Sequence, residues 1–134
     1  MPVTLTIDRE QRVVYSGFLG VVTEEDFVGQ IAKILSHPSF DPAYADMIDF
    51  SSTTELNLSD PILEASAKRK SIFSLDALHI LIAPRGLIHQ LSKRFQEWAK
   101  STRPNVVVVY TRSQAYDCLR DYEERRRKGR SAEA

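Results

Sequence analysis

One cysteine, Cys118, stands in the whole chain, so no disulfide can form within it and nothing points to an oxidising compartment. The five glycines build no phosphate-cradling loop: neither a dinucleotide fingerprint nor a Walker-type Gly-Lys-Ser/Thr occurs. Charge excess is missing too. Eighteen basic residues balance 18 acidic ones, which argues against a dedicated nucleic-acid binder. No apolar run approaches the ~20 residues that a membrane span needs. The opening MPVTLTIDRE lacks the basic-then-apolar order of a signal peptide. These absences imply a soluble, cytoplasmic protein. No Gly-x-Ser-x-Gly elbow presents a nucleophile, and no Cys/His set has zinc spacing. No cofactor, metal or catalytic residue is therefore expected.

What is present suits one α/β domain of ordinary size. VTLTID alternates Val3, Leu5 and Ile7 with Thr4, Thr6 and Asp8, the period of a half-buried strand. RVVYSGFLG reads as its hairpin partner, with Gly17 marking a bulge or a close backbone approach. A helix follows, opened by a Thr23/Asp26 capping box and bearing Phe27, Ile31, Ile34 and Leu35 at helical spacing. Next come a short strand, DMIDF, and a polar connection, SSTTELN. Ser59 or Asp60 caps a middle helix with Pro61 in its first turn, running to about Phe73. LHILIA, GLIHQLSKRFQEWAK and NVVVVYT give strand, helix and a β-branched strand buried on both faces. A last helix from about Ser113 carries Ala115, Cys118, Leu119 and Tyr122. The order is β-β-α-β-α-β-α-β-α: about five strands in a mixed, mostly parallel sheet, flanked by about four helices. The domain spans 1–122. The rest, 123–134, holds Arg125, Arg126, Arg127, Lys128 and Arg130 and reads as a polar, basic, flexible extension.

In open α/β sheets ligands bind at the carboxyl ends of parallel strands. Here those ends carry Asp49 and Ser51, then Arg85, then Arg112, which with Ser59 at the start of the middle helix form a candidate rim for a ligand or partner. Asp46 and Asp49 are three apart on a strand, so they face opposite sides and form no acid pair. His37, His79 and His89 are scattered and read as structural or surface residues. Cys118 reads as core. Ile62, Leu63, Ile72 and Phe73 give the middle helix more apolar surface than an exposed helix needs, a candidate partner face.

The TEEDF opening, HPSFDPAYADMIDFSSTTELNLS, LIAPRGLIHQLSKRFQEW and VVVVYTRSQAYDCL together resemble the STAS domain, and more specifically the SpoIIAA-like proteins of its uncharacterised bacterial branch. The resemblance covers roughly residues 3–122. It implies kinship in fold with bacterial anti-sigma factor antagonists, which are switched by phosphorylation of a serine directly after an Asp. Laid without gaps on this chain, Asp49, Ser51 and Thr54 match the antagonist pattern, but the switch position is Leu58. Only Ser59, one residue on, has a hydroxyl, and Asp60 beside it would repel a phosphate. The resemblance thus implies a non-enzymatic regulatory or protein-interaction module without a conventional phosphoserine switch. Its partner would be another protein or a second copy of the chain. The alternative is a carrier of a small apolar or anionic, lipid-like ligand between sheet and middle helix, since some lipid-transfer domains have a related fold.

Overall fold

The computed structural model describes residues 3–133, with side chains to 129. Five strands and four helices alternate after an opening hairpin: β1 Val3–Asp8, β2 Val13–Thr23, α1 Glu24–Ser36, β3 Ala45–Asn57, α2 Asp60–Lys68, β4 His79–Ile82, α3 Leu87–Trp98, β5 Val106–Val109 and α4 Arg112–Glu133. They make one sheet in the order β1-β2-β3-β4-β5, antiparallel between β1 and β2 and parallel elsewhere. This is the expected mixed, mostly parallel architecture.

Spatial order equals chain order, and that decides where the helices lie. Right-handed crossovers that all step the same way put every crossover helix on one face. Accordingly α1, α2 and α3 cover one face, over Val14, Phe18, Phe50 and Leu81. Helix α4 follows the last strand, is no crossover, and folds onto the opposite face over Met47, Ile80 and Ile82 through Ala115 and Leu119. A single helix cannot cover five strands. The β1–β2 part of that face stays open, which suits the polar Thr4 and Thr6 exposed there.

Gly17 meets both expectations. The β2–β3 register shifts beside it, and a Cβ at Gly17 would lie 2.6 Å from Thr4 Oγ1. Three expectations need correction. First, SSTTELN is no loop: β3 continues to Asn57, paired to β2 from Leu19↔Ser52 to Thr23↔Asn57. Its polar side chains point into solvent while the backbone pairs, and the Thr53 hydroxyl donates to the Phe18 carbonyl at 2.7 Å. Second, α2 stops at Lys68, so Ile72 and Phe73 lie beyond it. Phe73 is buried edge-on against Phe40 and His79, which removes it from any partner face. Third, the chain from 123 continues α4 as far as Glu133.

Cap chemistry separates two helices that look alike in sequence. Thr23 accepts from the Asp26 amide, and the Asp26 carboxylate accepts from the Thr23 amide at 2.9 Å, a complete capping box. Ser59 occupies the N-cap of α2, but its side chain makes no capping bond. Thr23→Ala should therefore cost about 1 kcal/mol of stability, and Ser59→Ala less than about 0.5. Urea melts of the two variants check this; equal losses would contradict it.

Candidate functional site

Among the described residues, a hollow lies on each face of the sheet. On the α4 face, an open polar groove of about 480 Å³ runs where α4 leaves β1 and β2 uncovered, lined by Thr4, Thr6, Tyr15, Asp49, Arg112 and Tyr116 among others. Two of the five expected rim residues, Asp49 and Arg112, line it. Asp49 on β3 is 3% exposed, and its carboxylate accepts from three donors. The Tyr15 hydroxyl and Arg112 Nε (2.8 Å) share Oδ2, while the Ser51 amide donates to Oδ1 at 2.8 Å. Burial alone would raise the Asp49 pKa, but the bonds from Ser51, Tyr15 and Arg112 overcome it and hold the carboxyl below its usual value. The Tyr15 phenol is pushed up to about 12, by burial first and then by Asp49.

At neutral pH, then, Asp49 keeps its charge and Tyr15 its proton. With every bond satisfied, the cluster is suited to tying the start of α4 to β2 and β3, and poorly suited to moving a proton. Arg85 does not join it: its guanidinium lies over the Tyr110 ring, 4.9 Å from the centroid, and that ring also stacks on His89 at 4.3 Å. Ser59 is exposed and lines neither hollow.

The second hollow lies on the other face, between the sheet and the helices α1, α2 and α3. It encloses about 280 Å³, near the lower end of the ~300–1,000 Å³ usual for small-molecule sites. Its apolar wall includes Phe18, Phe27, Ile48, Phe50, Leu56 and Leu81. Phe18 stacks on Phe27 at 4.6 Å and meets Phe50 at 5.7 Å. All four apolar residues expected on a partner face (Ile62, Leu63, Ile72 and Phe73) line this cavity.

The polar lining is unusual for such a wall. Six polar side chains are buried among the described residues. Five of them (Ser16, Gln30, Asp46, His79 and Ser92) line the cavity. Gln30 sits on the inward face of α1, where Ile31 and Leu35 were expected; Leu35 is exposed, and Ile31, though 41% exposed, borders the cavity. Its amide nitrogen donates to the Thr4 carbonyl (3.1 Å) and to Ser16 Oγ (2.9 Å). Because the Thr4 oxygen can only accept, the nitrogen must face it. Gln30 Oε1 then has no partner. His79 Nδ1 bonds Asp46 Oδ2 at 2.9 Å, and its Nε2 has no partner either. Arg103, just after α3, also borders the cavity.

Sequence reasoning missed Ser16, Gln30 and Arg103 and read His79 only as a structural or surface residue. Two signals were available: Ser16 has the inward parity of Val14 and Phe18 on β2, and Gln30 sits three residues after Phe27 and four before Ile34. The carboxyl-end rule has no switch point to act on in this sheet. Ligand crevices form where strand order reverses, and this sheet never reverses.

Among the described residues, no cluster of three or more His, Cys, Asp or Glu could hold a metal, and no helix is long and apolar enough to cross a membrane. No family model matches the chain, and no curated protein does. Among solved structures, an uncharacterised protein of the DUF3478 family from Shewanella loihica PV-4, with a SpoIIAA-like fold, is 20% identical over 87% of this chain and 93% of its own, at a TM-score of 0.54. The chain accordingly has the SpoIIAA-like fold that its element order and its STAS resemblance imply.

Proposed function

We propose that this chain is a binding module that holds a small, largely apolar molecule in the cavity between the sheet and helices α1 and α2. The observation that carries this is the concentration of buried polarity there: five of six buried polar side chains, two with an atom lacking any protein partner, face one apolar cavity. Burying an unpaired polar atom costs free energy. A protein that needed this layer only for packing would gain by filling it with apolar side chains.

N-phenyl-1-naphthylamine, an uncharged apolar fluorophore, tests the proposal. Its fluorescence should rise saturably with one probe bound per chain. Ile48→Trp, which fills the cavity from the sheet, should weaken binding at least about tenfold. Leu63→Trp, on the helical wall, gives a second filling variant if Ile48→Trp folds poorly by circular dichroism. Unsaturable binding, or binding that neither substitution weakens, would overturn the proposal.

A regulatory protein-contact role is the second reading, and one observation favours it. Val28, Ile31 and Leu35 form an exposed stripe along α1, at 54%, 41% and 56% exposure. Such a stripe suits contact with a protein or with a second copy of the chain. Sedimentation should then show association that Val28→Asp and Leu35→Asp abolish; a monomer at all concentrations would leave no support for self-association.

A further inference from the structure

We infer that the cavity selects a ligand with an anionic head group, a carboxylate or phosphate, seated beside His79 and Arg103, with its apolar remainder reaching toward Phe18, Phe27 and Phe50. This rests on the proposal that the cavity is a ligand site.

Strand register gives the cavity its two ends. Val14, Asp46 and His79 are aligned across β2, β3 and β4, and Ser16, Ile48 and Leu81 form the next row. Phe18 and Phe50 lie two residues further along their strands. Two rows of a sheet span ~13 Å. One end is thus polar and the other aromatic, the layout that orients an amphiphile.

Charge is divided the same way. The charged side chains bordering the cavity are Glu24, Asp46, Arg69, Lys70 and Arg103. Glu24 opens α1, next to the aromatic end. Arg69 and Lys70 directly follow α2, and the Arg103 guanidinium bonds the Arg69 carbonyl at 2.9 Å. Three cationic residues therefore border the cavity, with Arg69 and Lys70 exposed at its rim, beside two carboxylates, Glu24 and Asp46, the second of which His79 already engages.

Arg103 lacks an acidic partner. Its Nη1 donates to the carbonyls of Ala67 and Arg69 and to Thr102 Oγ1. Among the described residues, no carboxylate pairs with it within the ion-pair distances seen elsewhere in the chain. Burial lowers its pKa, with Asp46 offsetting only part of that. His79 supplies a second contact. The Asp46 carboxylate accepts from Nδ1–H, which leaves Nε2 as the buried ring nitrogen without a protein partner. Gln30 Oε1, one row along, accepts from a hydroxyl or N–H further down the ligand.

Isothermal titration with probes of similar tail and different head tests this: decanoate, octyl phosphate, 1-decanol and decylamine. At low salt, decanoate or octyl phosphate should bind at least about tenfold tighter than 1-decanol, and the tighter of the two anions names the head group. Arg103→Gln should abolish that preference and leave 1-decanol within about twofold. Because Arg103 also holds two carbonyls at the end of α2, Lys70→Gln serves as a gentler variant, with a smaller loss for the anions alone. If 1-decanol binds as tightly as the anions, or decylamine binds best, the anionic head group is overturned while the cavity survives as a site. If none of the four binds and the naphthylamine probe also fails, both proposals fall.

Discussion

Asp49→Ala should lower the free energy of unfolding by about 3 kcal/mol, a fall of roughly 10 °C in midpoint. The loss comes from the buried side of the cluster. Removing the carboxylate strands the Tyr15 hydroxyl and the Ser51 amide. It also removes the partner of Arg112, but that side chain is 61% exposed and returns readily to water. Arg112→Ala should therefore cost far less, with Asp49→Asn between the two. Equal losses for Asp49→Ala and Arg112→Ala would show that the ion pair, rather than the buried hydrogen bonds, holds this corner together.

The same carboxylate shapes the acid limb of stability. Its folded pKa lies below the unfolded value of ~3.9. Its contribution is therefore complete above that value and lost as pH falls through the folded one. Asp49→Asn should flatten the decline of the urea midpoint below about pH 4, beside an unchanged slope from the other carboxylates. Tyr15 acts at the other extreme. Its phenol, raised to about 12, stabilises the fold below ~10, and that contribution disappears as pH climbs through about 12.

Phe18→Ala should be as damaging on the opposite face, at about 3–5 kcal/mol. Phe18 is 2% exposed and sits between Phe27 and Phe50. Truncating it removes both aromatic contacts and joins new empty space to an existing cavity, where the walls have little reason to collapse inward. Phe27→Ala, from a half-buried position, should cost less. Chemical denaturation of the two variants measures the difference. A Phe18→Ala loss near 1 kcal/mol would mean that the aromatic end of the cavity is loosely packed.

Local features were legible in the sequence and distant ones were not. The Thr23 capping box involves two residues three apart, and a reader of the sequence finds it. Gly17 is legible because a glycine inside a strand pattern asks for a close neighbour, which Thr4 supplies. Residues 51–57 mislead because Ser, Thr, Glu and Asn suit loops as readily as exposed strands. Only the matching length of β2 decides for a strand. The end of α2 misleads for a similar reason: the hydroxyl of Thr102 and the guanidinium of Arg103 take the Ala67 carbonyl from across the fold. Asp49 and Arg112 were placed together as strand-end residues, whereas Tyr15 entered through β2 alignment that periodicity does not reveal. The cavity was least legible of all. Its polar atoms come from α1, β2, β3, β4 and α3, each a lone departure from an apolar pattern, and they acquire meaning only when the elements converge.

Unequal strand lengths divide the sheet in the time domain. Strands β4 and β5 hold four residues each, and β4 meets β3 only over Asp46–Asp49. Beyond that, the last residues of β2 and β3 have only each other within the sheet. Amide protons of Met47 and Ile48 lie in a ladder bonded on both sides and should exchange with deuterium only when the whole fold opens. Those of Glu55 and Leu56 need only the overhang to fray. The protein should thus lose its protons from one end of a single strand long before the other, with β3 spanning the slowest and some of the fastest sheet amides in the chain.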